Sequence, residues 1–181
     1  MAKLLYSVTM SLDGFIAGLG GDMSWLTEHI APNPVVKDVV VSKIGALLVG
    51  SRTFGGDDPH RGTAKEGKAF GGGWDGPQFV LTHHPPARPV PGVTFVGDLG
   101  SAIEAAKTAA GERYVNVMGA SVARQCLAAG ELDELLVIIA PVLLGDGVRL
   151  LDWPGGTNVK LERVGLTSAE LATNLWMRVV K

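Results

Sequence analysis

The segment Ala46-Leu47-Leu48-Val49-Gly50-Ser51-Arg52-Thr53-Phe54 passes from an apolar run into a glycine and then a hydroxyl residue. A second segment has the same design: Val115-Asn116-Val117-Met118-Gly119-Ala120-Ser121-Val122-Ala123-Arg124. The glycine lets the backbone approach a ligand, and the amides that open the following helix attract an anion. In an α/β sheet, such turns lie at the carboxyl ends of the strands. Two of them predict a clamp for a phosphate-bearing cofactor.

Length and composition favour one domain with a large core. The chain has 181 residues, of which 46% are hydrophobic and 19% charged. This length suits a single domain over residues 1–181. The small share of charged residues is typical of a sheet whose strands are buried on both faces.

The charge pattern excludes several classes of partner. The formal net charge is -2, and the basic residues are scattered along the chain. We therefore expect neither nucleic acid nor a membrane as a partner. The longest apolar run, residues 135–144, is too short to span a bilayer, and the amino terminus lacks the pattern of a signal peptide. The single cysteine, Cys126, is expected to be a buried structural thiol in a cytoplasmic protein.

Strands and helices alternate along the chain and finish in a predicted antiparallel hairpin. Strands are predicted at residues 4–10, 46–49, 78–81, 93–96, 114–118 and 135–144, and the hairpin at 159–166 and 171–180. Helices are predicted at 34–44, 99–110 and 121–130, with Asn33 and Ser121 as caps of the first and last. Pro141 indicates an edge or a bulge in the last long strand. This order predicts an α/β fold with a mixed, mostly parallel sheet and helices on both faces.

Residues 55–76 contain eight glycines and no periodicity. The segment is too long for an ordinary connection in a compact domain. It combines charged residues with Phe70 and Trp74, whereas disordered linkers usually lack aromatic rings. We therefore favour a loop that is ordered, or ordered by a ligand, and that closes over a substrate.

Four motifs follow one another along the chain. They are Ser7-Val8-Thr9-Met10-Ser11-Leu12-Asp13-Gly14-Phe15-Ile16-Ala17, Val49-Gly50-Ser51-Arg52-Thr53-Phe54, Val117-Met118-Gly119-Ala120, and Leu132-Asp133-Glu134-Leu135 continuing to Pro141-Val142-Leu143-Leu144-Gly145-Asp146-Gly147. In this order and spacing they resemble the reductase domain of bacterial riboflavin biosynthesis, a family grouped by fold with dihydrofolate reductase. The resemblance covers nearly the whole chain. It implies an NADPH-dependent reductase with a dihydrofolate reductase-like central sheet of about eight strands, and it favours a homodimer.

The resemblance also implies which residues hold the cofactor. On the adenosine side of NADPH it places a first turn and the end of a strand, namely Gly50, Ser51, Arg52 and Thr53 with Thr82 and His83. Under the pyrophosphate and nicotinamide it places a second turn, namely Gly119, Ala120, Ser121 and Val122. The residue types suit these roles. A guanidinium with neighbouring hydroxyls supplies charge-assisted donors for the 2'-phosphate, and a protonated His83 can reach the same group.

The chain departs from the family pattern in three places. Ala120 stands where a second glycine is usual, so the approach of the ligand is expected to differ there. Dihydrofolate reductases carry an inward carboxylate on the first helix, but Asp38 is predicted to point away from the apolar side of that helix. The zinc motif of a fused deaminase is also missing from the sequence, which indicates a stand-alone reductase domain.

Three residues are candidates for the substrate side. Asp13 could orient the substrate or supply a proton through water, or it could be a turn aspartate that bonds its own backbone. Asp22 and Trp25 are predicted to line the pocket, where the tryptophan could stack on a planar ring or serve only in packing. No metal site is expected, because His83 with His84 and the group at residues 57–60 lack the spacing of metal ligands.

The function predicted from these features is hydride transfer from NADPH to a small planar nitrogen heterocycle or a related carbonyl compound, such as a pterin-like or ribosylaminopyrimidine-like molecule. Two other classes stay open. The chain could be a non-catalytic module that binds NADP(H), or a homodimeric interaction protein in which the clefts are incidental.

Overall fold

The apolar runs of the sequence form the middle of an eight-stranded sheet in a computed structural model of the chain. The structure describes the backbone of residues 1–181 and all side chains except those of residues 40 and 41. The strands are β1 (Leu4–Ser11), β2 (Phe15–Ala17), β3 (Ile44–Gly50), β4 (Gln78–Leu81), β5 (Val93–Val96), β6 (Tyr114–Met118), β7 (Leu132–Ala140), β8 (Val148–Arg149), β9 (Leu161–Ala169) and β10 (Ala172–Val179). The helices are α1 (Pro34–Asp38), which continues as a π-helical segment (Val39–Lys43), α2 (Ser51–Phe54), α3 (Leu99–Ala110) and α4 (Ala120–Ala128).

The large sheet is mixed and mostly parallel, as predicted. Its strand order is β5-β4-β3-β6-β1-β7-β10-β9. The strands from β5 to β7 in this order are parallel, whereas β10 is antiparallel to both β7 and β9. The predicted hairpin at the end of the chain is therefore confirmed. A small second sheet pairs β2 with β8.

Helices cover both faces of the sheet, which confirms the predicted layers. One core cluster joins buried residues of α3 and α4 to β1, β6 and β7. The other joins Val39, with Val35 and Val36 at its border, to the opposite face of β1, β3 and β7. Val40, which lies in the same predicted helix, falls outside the described side chains. We refer to the second side as the α1 face. None of the helices described is both long and apolar enough to cross a membrane.

One predicted cap is confirmed in position, and the other is wrong. Asn33 precedes α1 but makes no side-chain bond to that helix, because its Nδ2 donates to Oδ1 of Asn174 at 2.7 Å instead. Gly119, not Ser121, occupies the cap position of α4, because that helix already begins at Ala120.

The prediction of an edge or a bulge at Pro141 is also wrong. β7 runs over Leu132–Ala140 between β1 and β10, so it is an internal strand. Pro141 directly follows its last residue, because a proline cannot donate to the ladder and ends the pairing there. The next residue, Val142, accepts a hydrogen bond from the amide of Leu12 at 2.8 Å.

Residues 55–76 form a series of hydrogen-bonded turns, in agreement with the prediction of an ordered loop. The carboxylate of Asp58 accepts from the amides of His60 at 2.7 Å and Gly67 at 2.6 Å. Trp74 donates from Nε1 to the carbonyl oxygen of Ile44 at 3.2 Å, and its ring packs on the apolar cluster of the α1 face. The loop is therefore tied to the start of β3.

Candidate functional site

A cleft opens in the sheet where β1 and β6 separate. β1 pairs with β6 over Leu4–Tyr6 only, whereas it pairs with β7 along its whole length to Ser11. Residues 4–6 of β1 are buried, and residues 7–10 are partly exposed. We call this opening, between residues 7–11 of β1 and residues 118–119 at the end of β6, the β1–β6 cleft. It lies at the carboxyl ends of parallel strands, where α/β folds bind ligands.

The two glycine turns lie side by side at the same edge of the sheet. Their strands are neighbours, since Val49 of β3 pairs with Met118 of β6. A Cβ built on Gly50 would lie 3.1 Å from Cγ2 of Val122, and a Cβ built on Gly119 would overlap the hydroxyl of Thr53. Each turn therefore contacts the other through the glycine that opens it. The structure brings together the two groups of residues that the sequence predicted as a clamp.

The backbone of the second turn suits an anion. Gly119 has φ 104° and ψ 132°, a backbone conformation that residues with a Cβ rarely adopt. The first backbone bond of α4 runs from the amide of Ala123 to the carbonyl of Gly119 at 3.0 Å. The amides of residues 120–122 precede that bond and have no partner within the helix. Val122 is buried and anchors the turn, whereas Ser121 is exposed.

The predicted residues on the adenosine side follow neighbouring strands. Ser51 and Arg52 are exposed on α2, and Arg52 forms no ion pair with any residue described. Thr82 and His83 come directly after β4, whose Leu81 pairs with Gly50. The His83 ring lies near the turn after β5, since a Cβ built on Gly97 would be 3.7 Å from its Nδ1. One uncompensated guanidinium and an imidazole therefore flank the end of the clamp.

Asp13 joins the loop after β1 to the segment after β7. Its half-buried carboxylate accepts from Oγ of Ser11 at 2.5 Å and from the amides of Leu144 at 3.1 Å and Gly145 at 2.7 Å. The Ser11 hydroxyl, followed by these two amides, lowers the pKa of Asp13 to about 2. The aspartate that the sequence predicts as a turn residue therefore also bonds to residues 144 and 145, far away in the chain. Near neutral pH the carboxylate is ionised and is unsuited to donate a proton.

Asp22 and Trp25 lie in one short turn. The exposed carboxylate of Asp22 accepts from the amide and the hydroxyl of Ser24 at 3.1 and 3.0 Å, which fixes the start of a 3-10 segment (Ser24–His29). Trp25 is half-buried, and its ring centroid lies 6.0 Å from that of His29. Its indole N–H is buried and has no hydrogen-bond partner among the residues described. Asp22 therefore positions the turn, while the indole N–H of Trp25 is a hydrogen-bond donor without an acceptor among the residues described.

Sequence reasoning missed Asp57, which ties the turn of Trp25 to the glycine-rich loop. Its Oδ2 accepts from the amide of Met23 at 3.0 Å, and its Oδ1 pairs with Arg61 at 2.8 Å. Asp57 was considered only as part of a possible metal group, and no local pattern indicates a partner so far away in the chain. Among the described residues no cluster of three or more His, Cys, Asp or Glu could hold a metal ion.

A buried carboxylate, that of Glu134, lies away from the predicted clamp. It is 3% exposed and accepts from Nζ of Lys3 at 3.1 Å, from the Tyr114 hydroxyl at 2.9 Å and from Nε1 of Trp176 at 2.8 Å. Burial, and then the Glu134 carboxylate, raise the pKa of Tyr114 to about 12. These residues lie near the amino ends of β1, β6 and β7, so the cluster stabilises the sheet at the edge opposite the cleft.

Solved structures share this fold. A protein from Shewanella sp. PV-4 assigned to riboflavin biosynthesis superposes with a TM-score of 0.74 at 23% identity, over 100% of both chains. The diaminohydroxyphosphoribosylaminopyrimidine deaminase/5-amino-6-(5-phosphoribosylamino)uracil reductase of Thermotoga maritima superposes with a TM-score of 0.67 at 19% identity. That match covers 99% of this chain and 57% of the Thermotoga protein. The riboflavin biosynthesis reductase Rib7 of Saccharomyces cerevisiae gives 0.61 at 16% identity, over 99% of this chain and 89% of the yeast chain.

No match was found among curated proteins. The large sheet with its antiparallel hairpin is the dihydrofolate reductase-like fold that these solved structures share. The family model described as the RibD C-terminal domain matches residues 2–172. The chain therefore belongs to the RibD C-terminal domain family.

Proposed function

We propose that residues 1–181 act as one NADPH-dependent reductase domain that transfers hydride to a planar nitrogen heterocycle, with ribosylaminopyrimidines as the first class to test. The observation that carries the proposal is the contact between the two glycine turns beside the β1–β6 cleft. Membership of a family whose solved relatives include named reductases supports the reaction type.

The residues present fit this cofactor. The unpartnered helix amides at residues 120–122 suit a pyrophosphate, and the lack of a Cβ at Gly50 and Gly119 lets the two turns pack directly against each other. Arg52, with Ser51 and Thr53, suits the 2'-phosphate, and Thr82 and His83 complete the adenosine side. When bound, NADPH supplies the hydride, and the protein binds, orients and excludes water.

On the substrate side, we assign Asp13 and Asp22 to positioning and Trp25 to contact with the substrate. Asp13 holds the loop beside the cleft. Because its pKa is low, its carboxylate is ionised, and solvent water supplies the proton to the substrate. The unpartnered indole N–H of Trp25 is a donor for a carbonyl oxygen of the ring. The bond between Met23 and Asp57 keeps the turn of Trp25 and the glycine-rich loop together, which would limit the access of water.

The assembly that we propose is a cytoplasmic homodimer that binds a small-molecule substrate. β9 forms the outer edge of the sheet and carries exposed Leu161, Val164 and Leu166. A nine-residue edge strand with three exposed apolar side chains is a surface that proteins usually cover. Sedimentation equilibrium would measure the mass in solution, and a monomer at micromolar concentration would contradict this part of the proposal.

The test of function is a fluorescence titration with NADPH and with NADH. We expect saturable binding and a preference for NADPH that Arg52→Ala removes, since a lost charge-assisted hydrogen bond costs about 1.5–3 kcal/mol, or roughly tenfold or more in affinity. Arg113→Ala, at the opposite edge of the sheet just before β6, removes another exposed arginine and should leave binding unchanged. The absence of a saturable NADPH response, or equal affinity of wild type and Arg52→Ala, would contradict the proposal.

Turnover separates a reductase from a binding module. The ionised Asp13 is the feature that favours the second candidate, because it removes an obvious proton donor. Oxidation of NADPH is measured with three candidate substrates, namely 5-amino-6-(5-phosphoribosylamino)uracil, a pterin and a quinone. Tight NADPH binding without oxidation by any of the three would favour the non-catalytic module.

A further inference from the structure

A buried amide lies at the closed end of the β1–β6 cleft. Asn116 stands in the middle of β6, where it pairs with Leu5 of β1 and Leu47 of β3. Its side chain is 0% exposed. Neither its Oδ1 nor its Nδ2 has a hydrogen-bond partner among the residues described. Buried polar groups in folded proteins are nearly always paired, so this amide needs a physical explanation.

A second buried asparagine shows that the fold can satisfy such a group. Asn174 of β10 is 2% exposed. Its Oδ1 accepts from Asn33 at 2.7 Å, and its Nδ2 donates to Asn33 and to Oγ1 of Thr167, each at 3.2 Å. Both asparagine side chains are buried, but the amide of Asn174 has hydrogen-bond partners and that of Asn116 has none among the residues described.

The surroundings of Asn116 are apolar and belong to the α1 face. Its pairing partners, Leu5 and Leu47, are both in the cluster of that face, and so are Tyr114 and Met118, two residues away on either side in β6. Val39, which opens the π-helical segment after α1, belongs to the same cluster. π-Helical turns occur frequently at functional sites. Binding pockets are commonly apolar with a few polar groups that fix the orientation of the ligand.

The position of Asn116 relates it to the cleft. The last pair between β1 and β6 is Tyr6 with Val117, so Asn116 lies one residue before the point where the two strands separate. Beyond that point lie the second glycine turn and the partly exposed residues 7–10 of β1. A ring that entered from this side along the α1 face would meet Asn116 as the polar group at the bottom.

We propose that the Asn116 carboxamide recognises the substrate ring, donating from Nδ2 to a ring carbonyl and accepting at Oδ1 from the adjacent ring N–H. A pyrimidine or pterin presents this acceptor and donor side by side along one edge. The proposal rests on the function proposed above and names the residue that selects a lactam-bearing heterocycle. Because Asn116 is 0% exposed in this structure, binding of the ring requires that the apolar side chains packed around the amide move aside.

The test compares Asn116→Val with Asn174→Val, two identical replacements of buried strand asparagines. Removing an unpaired amide should leave the melting temperature of Asn116→Val equal to or above that of wild type, whereas Asn174→Val loses three hydrogen bonds and should melt lower. With 5-amino-6-(5-phosphoribosylamino)uracil as substrate, Asn116→Val should raise KM at least tenfold and leave the Kd of NADPH unchanged. Asn174→Val should keep the KM of wild type.

Two results would overturn the inference while the proposed function stands. One is a loss of melting temperature in Asn116→Val as large as in Asn174→Val, which would mean that the fold satisfies the amide. The other is an unchanged KM in an active Asn116→Val enzyme. Asn116→Ala repeats both measurements if valine does not fold. If wild type neither binds NADPH nor reduces the uracil, the proposed function fails and the inference fails with it.

Discussion

The hydroxyl of Thr53 fills the space beside Gly119 into which any side chain at position 119 would project. Thr53 follows β3 and Gly119 follows β6, so this contact joins two turns that are far apart in the chain. The contact excludes a Cβ at position 119, and the positive φ of Gly119 is a second, separate reason for glycine there.

Gly119→Ala should therefore damage the proposed cofactor clamp. Its methyl group would displace Thr53, and the backbone would be strained at φ 104°. We expect a loss of stability of about 1–3 kcal/mol and weaker NADPH binding, measured by urea unfolding and by fluorescence titration. Gly111→Ala is the matched control, because Gly111 also has a positive φ but a Cβ there would meet open space. Equal NADPH affinity in the two variants would contradict the role of the contact.

The stability of the loop after β1 should depend on pH through Asp13. Its pKa is lowered from 3.8 to about 2, so its hydrogen bonds stabilise the folded state above pH 4, and this contribution is lost as the pH falls towards 2. Urea unfolding midpoints between pH 6 and pH 2 measure the effect. Asp13→Asn should be less stable at pH 6 and lose less on acidification. Asp152→Asn removes an exposed carboxylate without such bonds and should follow wild type, whereas identical pH profiles of wild type and Asp13→Asn would contradict the assignment.

Glu134→Gln should destabilise the sheet without affecting cofactor binding. The change weakens three hydrogen bonds to a buried carboxylate at the edge opposite the cleft, and we expect a loss of about 2 kcal/mol in the free energy of unfolding. Glu162→Gln serves as control, because its pair with Arg178 at 3.8 Å is exposed and should contribute about 0–1 kcal/mol. A large fall in NADPH affinity of Glu134→Gln would show that this cluster affects the clamp.

Cys126 should be unreactive in the folded protein. It is buried in α4, and burial raises the pKa of its thiol to about 12. A thiol reagent such as 5,5'-dithiobis(2-nitrobenzoate) at pH 8 should label it only after unfolding in urea. Cys126→Ala sets the background of the assay. Rapid labelling of the native protein would show that the helix opens locally or that the thiol is accessible.

Local patterns predicted most of the fold. β4, β5, α3 and β6 have the predicted bounds, because glycine, proline or polar residues flank each of them. The predicted strand at 135–144 begins three residues later than β7 does, because Asp133 and Glu134 have the composition of a turn. Both are paired within the sheet: Asp133 accepts from the amide of Leu4 at 2.8 Å, and Glu134 accepts from three distant residues. Hydrogen bonds to partners so far away in the chain cannot be predicted from the residues next to Asp133 and Glu134.

Local sequence patterns predict one part of the candidate site, and long-range contacts determine the rest. The glycine of each turn is visible in the sequence, because backbone approach and helix initiation need a particular residue type at a particular place. The contact of Gly119 with Thr53 depends on β3 and β6 becoming neighbours, which no short pattern specifies. Asn116 reads as an ordinary strand residue, and only the assembled sheet shows that its amide has no partner among the residues described.

The position of β1 in the sheet has a consequence for how the protein folds. β1 lies between β6 and β7, where Leu4 pairs with Val115 on one side and Leu132 on the other. It is synthesised before both of its neighbours, and pairing across such sequence separation is slow because a long loop must close first. A nascent chain therefore carries an apolar strand that stays unpaired until β6 emerges from the ribosome and gains its second neighbour only with β7, and this interval is when chaperones would be needed.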